Sequence, residues 1–138
     1  MNAELIFIPV LIQIVLTLTV YIRLGQAKEL ALENGEVNTA RRGMHDDAWP
    51  ESVQKINNNI RNQFETPILF YVLVILLWQL GAANLLAQFV ALVYALSRVL
   101  HAYVHTGSNY VPLRKRLFQL GVVLLFVLTA LTLIAIVT

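Results

Sequence analysis

Four long apolar stretches divide the chain, at roughly Leu5–Leu24, Pro67–Leu80, Leu85–Tyr103 and Leu117–Val137. About 20 residues at 1.5 Å each cover about 30 Å, the thickness of a bilayer's hydrocarbon layer. The pattern predicts four membrane-crossing helices, over about 5–28, 50–80, 84–105 and 112–137. The second outruns its apolar core. "AWPES" offers a helix start at Pro50, with Glu51 near the positive end of the helix dipole. A helix from there to Leu80 is about 46 Å long, so its first turns stand in the interface or in a polar interior. Pro67 lacks the N–H that would bond the Gln63 carbonyl, which predicts a bend within 63–70.

Composition turns that pattern into a class. The chain has 138 residues, 58% hydrophobic and only 13% charged, which bounds it to a single all-α domain, an integral membrane four-helix bundle. "MNAELIF" has no basic stretch and no small-residue cleavage site follows, so the first run reads as a retained helix. The Lys and Arg residues lie in or beside the first and third connections, whereas "QLGAANLL" between the second and third helices has no charge. The positive-inside rule then places both basic connections in the cytoplasm and both termini outside it. With topology accounting for the basic residues, the net charge of +2 gives no sign of nucleic acid. The absence of cysteine excludes disulfides and a protein thiol nucleophile, so any thiol chemistry must bring its own sulfur. The first connection, "LENGEVNTARRGMHDDAW", is polar and is the segment expected to be most mobile.

The polar residues at membrane depth carry the functional question. Arg98, His101 and His105 are spaced i, i+3, i+7 and fall within about 60° of one helix face. Asn58, Arg61, Asn62 and Glu65 fall within an arc of about 100° on the second helix. The fourth helix opens with "PLRKRLF", where Arg114 and Phe118 share a face. Ionisable groups in such places are expensive unless paired or wetted, and by default they mark a site. One structural reading has them pair with each other, Glu65 with Arg61 or Arg98, and only lock the bundle. Another treats Arg114, Lys115 and Arg116 as a headgroup anchor, which suits Lys115 and Arg116. Arg114 points further. A cation at a helix N-terminus opposes the dipole, and together with free N–H groups it makes an anion site. The summed stripes hold an excess of cations, two amides and one carboxylate. A zwitterionic peptide complements them well, and a phospholipid headgroup does so passably.

Other functions stay open on the residues alone. His101 and His105 at i, i+4 face one way and suit a metal or haem, although no third ligand is evident and the metal reading names none. A small proton-coupled exporter would use Glu65 as its membrane carboxylate, yet Glu65 lies at the cytoplasmic end. A non-catalytic lipid-binding protein is a further alternative.

"RNQFETPILF" resembles the helix-2 signature of the MAPEG family (membrane-associated proteins in eicosanoid and glutathione metabolism). "RVLHAYVHTGSNYVPLRKRLFQLG" resembles its helix-3 to helix-4 segment, where an Arg is followed by His at +3 and Arg at +16, the spacing of Arg98, His101 and Arg114. "GQAK", with Lys28, is a weaker echo. The pattern is that of a bacterial-looking member similar to the microsomal prostaglandin E synthases and glutathione transferases, which implies a bacterial inner membrane as its location. The resemblance implies a homotrimer with glutathione bound between subunits at the cytoplasmic end, acting as a transferase or peroxidase on lipophilic small molecules from the bilayer. It implies that Arg61, Asn62, Glu65, Arg98 and His101 hold the tripeptide, that His105 stands where a Tyr stacks on it, and that Lys28 reaches in from the neighbouring subunit. Arg114 would favour the thiolate as the catalytic residue. Asn58 stands where the family has an Arg, Lys115 replaces a small hydroxyl residue, and Phe118 replaces a Tyr.

The topology is directly testable. Reporter fusions at Thr138 and in the connection around Gly35 are expected to report opposite sides of the membrane, and a cytoplasmic Thr138 would contradict the assignment.

Overall fold

The computed structural model describes residues 2–138, and the described residues form four helical spans: Ala3–Glu33, Glu51–Gln79, Leu85–Thr106 and Val111–Val137. The first is a short 3-10 turn, Ala3–Ile6, continued by α1 (Phe7–Glu33). The second is two helices, α2 (Glu51–Gln63) and α3 (Thr66–Gln79). The third is α4 (Leu85–Thr106) and the fourth α5 (Val111–Val137). All four are long and apolar enough to cross a membrane, and the protein is an integral membrane four-helix bundle.

Local chemistry explains the ends. Gly35 and Gly81 sit at φ 68° and 67° just past α1 and α3. In each case the next residue's N–H reaches back five residues to close the helix, Glu36 to the Ala31 carbonyl at 3.0 Å and Ala82 to the Leu77 carbonyl at 2.8 Å. Only glycine adopts that left-handed turn without a steric penalty. Asn84 starts α4 by accepting from the Ala87 N–H at 3.0 Å, a side-chain N-cap. The first helix runs beyond the expected residue 28 because "ELALE" continues it with good helix formers. The continuous helix expected over 50–80 is instead interrupted at Phe64 and Glu65, just before Pro67, which stands in the first turn of α3. The missing proline N–H leaves the Gln63 carbonyl without its helical partner, and the chain restarts rather than merely bending. The connection after α1 is folded back on itself. The Asn38 N–H donates to the Ala48 carbonyl at 3.0 Å, Arg41 pairs with Asp47 at 3.2 Å, and Trp49 Nε1 donates to the Arg42 carbonyl at 3.3 Å.

α4 is the hub. It packs most extensively on α5 and also on α1 and α2, while α3 packs on α5, so α4 and the α2–α3 span lie between α1 and α5. One half of the interior is apolar: Phe70 stacks on Tyr94 at 4.4 Å between centroids, amid Val74, Leu77, Ala87, Ala91, Leu125 and Leu128. The other half buries Gln13, Asn59, Gln63, Arg98, His101 and His105. Large apolar side chains such as Leu11, Val15, Ile22, Phe89, Phe126 and Ile136 point outward and are exposed. Ionisable groups turned inward and apolar side chains turned outward is the arrangement that lipid requires.

α5 approaches α4 at Gly121. A Cβ there would lie 3.5 Å from Tyr94 Cε2 and 3.8 Å from Arg98 Cδ, ordinary contact for one methyl group and no more. Small residues are what allow membrane helices to come this close. Gly121→Ala is therefore expected to be tolerated, whereas Gly121→Leu should destabilise the bundle by about 1–3 kcal/mol through overpacking. Thermal unfolding of the two variants in one detergent checks the contrast.

Candidate functional site

The interruption of the second span, the last turns of α4 and the start of α5 enclose a cleft of about 470 Å³. Asn58 and Asn62 from α2 and Glu65 from the interruption line one side. His101 and His105 from α4 line another, and Val111, Arg114, Lys115 and Phe118 from α5 complete it. A regular helix turns each successive residue by 100°, so a change of direction at Phe64–Glu65 is what frees Glu65 from the α2 register.

Arg114 is held in place. Its Nη1 donates to Asn109 Oδ1 at 2.6 Å, and Asn109 sits in the left-handed region at φ 53°, a conformation that asparagine tolerates. The α4–α5 connection thereby presents this guanidinium at the N-terminal end of α5, whose free N–H groups point the same way. His101 and His105 lie edge to face at 5.6 Å, and His101 also approaches the Phe118 ring at 6.1 Å.

Arg98 lies behind this surface. It is 1% exposed, and among the described residues Nε, Nη1 and Nη2 all lack a hydrogen-bond partner. Its Cζ lies over the Phe118 ring, 5.9 Å from the centroid. His101 Nδ1 is likewise buried and unbonded. A buried guanidinium without a partner is among the costliest arrangements a fold can hold.

The self-contained pairing of Glu65 with Arg61 or Arg98 does not form. Arg61 turns away to Asp46, a partner from the first connection, and among the described residues Glu65 makes no ion pair. The sequence spacing could not reveal this, because Asp46 reaches Arg61 only through the fold-back of the connection.

The structure therefore brings Asn62, Glu65, His101, His105 and Arg114 to one cleft, with Arg98 directly beneath it. It does not bring Lys28 or Arg61 there within one chain. Lys28 stands over the Trp49 ring at 4.9 Å and lines a separate, smaller cavity with Arg42, His45 and Asp46. Among the described residues, no group of three or more His, Cys, Asp or Glu is placed to hold a metal, so the His101–His105 pair has no third ligand of that kind.

Sequence reasoning missed a buried chain of amides: Gln13 pairs with Gln63, Gln63 with Asn59, and Asn59 with His105. Two signals for it were present. Gln13 is a lone amide inside the first apolar run, and Asn59 and Gln63 are spaced i, i+4 beside the Asn58–Asn62 face.

Comparison with known proteins gives a clear placement. No curated protein and no solved structure matches the chain. A scan of protein families matches residues 5–134 to the MAPEG family. That match covers nearly the whole chain and all four spans, and the protein belongs to the MAPEG family.

Proposed function

We propose that the protein binds glutathione in the cleft at the cytoplasmic end and uses it for transfer to, or reduction of, a lipophilic substrate drawn from the bilayer. The family's members include glutathione transferases and related membrane proteins. The observation that carries the reading is the unbalanced charge of the site. Arg98 is buried with three unbonded nitrogens and Arg114 lines the cleft, against one carboxylate, Glu65, with no ion partner among the described residues. A tripeptide with two carboxylates, one ammonium and a thiol matches that set of donors and acceptors.

In this reading Glu65 takes the ligand's ammonium, and Asn62 and His101 take amide and carboxylate oxygens. Arg98 supplies its unbonded N–H groups to a carboxylate, a strong charge-assisted contact. Bound thiol supplies the nucleophile or the reductant. Arg114 stabilises the thiolate, because a neighbouring cation lowers a thiol pKa. Lys28 and Arg61 stand outside the cleft of their own chain. We assign Lys28 to the cleft of a neighbouring subunit in a homotrimer and Arg61 to its outer rim. The one-sided Lys and Arg distribution supports a cleft that opens to the cytoplasm, and we assign the protein to a bacterial inner membrane.

Wild-type protein titrated with glutathione is expected to show thiolate ultraviolet absorbance near neutral pH. Arg114→Ala should abolish that signal while weakening binding less than about tenfold. Glu65→Gln should do the reverse, losing about ten- to a hundredfold in affinity, the range of a hydrogen bond to a charged group, with thiolate retained in the residual complex. Saturation without thiolate in the wild type would mark a binding relative without catalysis.

A second expectation separates a ligand site from a structural lock. Arg98→Met removes a buried charge and keeps an apolar stem, so the ligand-free protein should unfold at an equal or higher temperature. Its stabilisation by glutathione should shrink. A fall in ligand-free stability would make Arg98 structural.

A further inference from the structure

The buried amide chain ends on the cleft, and its direction has a chemical consequence. Gln13 donates through Nε2 to Gln63 Oε1, which also lies 3.2 Å from the Thr17 hydroxyl. Gln63 Nε2 donates to Asn59 Oδ1 at 3.1 Å, and Asn59 Nδ2 lies 3.1 Å from His105 Nδ1. Gln13 and Asn59 are fully buried, Gln63 is 1% exposed and His105 4%. Gln63 and Asn59 each commit their oxygen to one neighbour and their nitrogen to the next. The orientation at one end is thereby passed to the other.

With Asn59 Oδ1 taken by Gln63, the group that faces the imidazole is an NH₂ donor. A ring nitrogen that accepts a hydrogen bond carries no proton. We infer that Asn59, oriented by Gln63 and Gln13, is a positioning residue that fixes neutral His105 with its proton on Nε2. His105 then offers the cleft an N–H donor rather than a lone pair. His105 Nε2 makes no hydrogen bond among the described residues and is not enclosed, so it is the ring nitrogen left to the cleft that His105 lines.

The reverse direction is disfavoured at the far end of the chain. In the observed direction only one atom of Gln13, its Oε1, is buried without a partner. Turning every amide over would strand the Gln13 NH₂ group there, two unsatisfied donors in place of one acceptor. Buried unpaired N–H groups are rarer than under-satisfied carbonyl oxygens. Reversal would also put the imidazole proton on Nδ1 and turn Nε2 into a base facing the cleft, so the two directions give the site opposite chemistry.

The tautomer sits in the free protein and does not depend on the glutathione reading; only its effect on a bound thiol does. The test is nitrogen NMR of the full-length protein with ¹⁵N-histidine in detergent micelles. The chain has three histidines, and His45→Gln and His101→Gln assign the His105 signals. Above the pH at which the ring charges, Nδ1 is expected to show the shift of an unprotonated nitrogen and Nε2 that of a protonated one. Asn59→Asp should exchange the two, because a carboxylate accepts from Nδ1–H while still accepting from Gln63. Asn59→Ala, which keeps the measurement usable if the buried Asp prevents folding, should move both shifts toward intermediate values. A wild-type proton on Nδ1, or shifts unchanged in both variants, would overturn the assignment. Titrated with glutathione, Asn59→Asp should lower the thiolate fraction about tenfold, the effect of losing one hydrogen bond to an anion. A wild type with the stated tautomer and no glutathione binding would sink the ligand and leave the inference standing.

Discussion

Arg98 is the constraint around which the molecule is arranged. A guanidinium is never neutral in a protein, and this one is buried behind the cleft with no carboxylate holding it among the described residues. The rest of the bundle can be understood as isolating that charge. The Phe70–Tyr94 stack and its aliphatic neighbours fill one half of the interior, while Gly121 lets α5 close over the arginine stem. The other half collects amides and imidazoles, which tolerate a nearby cation better than hydrocarbon does. The fold thus holds a positive potential in a low-dielectric site, where its effect on an anion is far larger than in water.

The interruption at Phe64–Glu65 completes the arrangement. A continuous helix would keep Glu65 in the register of Asn58, Arg61 and Asn62, close to the cations of its own helix. Pro67 ends α2 early, and the junction lines the cleft with Glu65 while Arg61 is drawn off to Asp46. One proline and one acidic residue of a connection therefore leave the site's single carboxylate without an ion pair among the described residues. The separation of charge arises from backbone chemistry, not from a shortage of possible partners.

Much of this was legible in the sequence, and the limits have physical reasons. The four spans follow from apolar runs long enough to cross hydrocarbon, and the convergence of Arg98, His101 and His105 on one face follows from helical spacing. The proline marked where the second span would change direction. The fold-back of 34–50 was not legible, because turns and ion pairs such as Arg41–Asp47 depend on contacts between residues that no periodicity links. That is why spacing alone could not show that Arg61 pairs with Asp46 and not with Glu65. Gln13, Asn59 and Gln63 escaped for a different reason. Attention to charge favours ionisable groups, whereas a neutral amide in an apolar run demands a partner almost as strongly.

Arg114 shows how these levels combine. It stands in the first turn of α5, where the dipole already gives the helix end a partial positive charge, so the side chain and its own helix repel. Asn109 holds it there with one hydrogen bond to an oxygen that carries no full charge, so the repulsion is not cancelled. A few residues of connection separate it from His105, whose Nδ1 is occupied by Asn59. An arginine, a helix N-terminus and an imidazole N–H then bring positive character to one wall, facing the one unpaired carboxylate across the cleft. Each element is unfavourable or neutral for the empty fold. In the proposed reading, their sum suits a guest that carries negative charge toward α5 and positive charge toward Glu65.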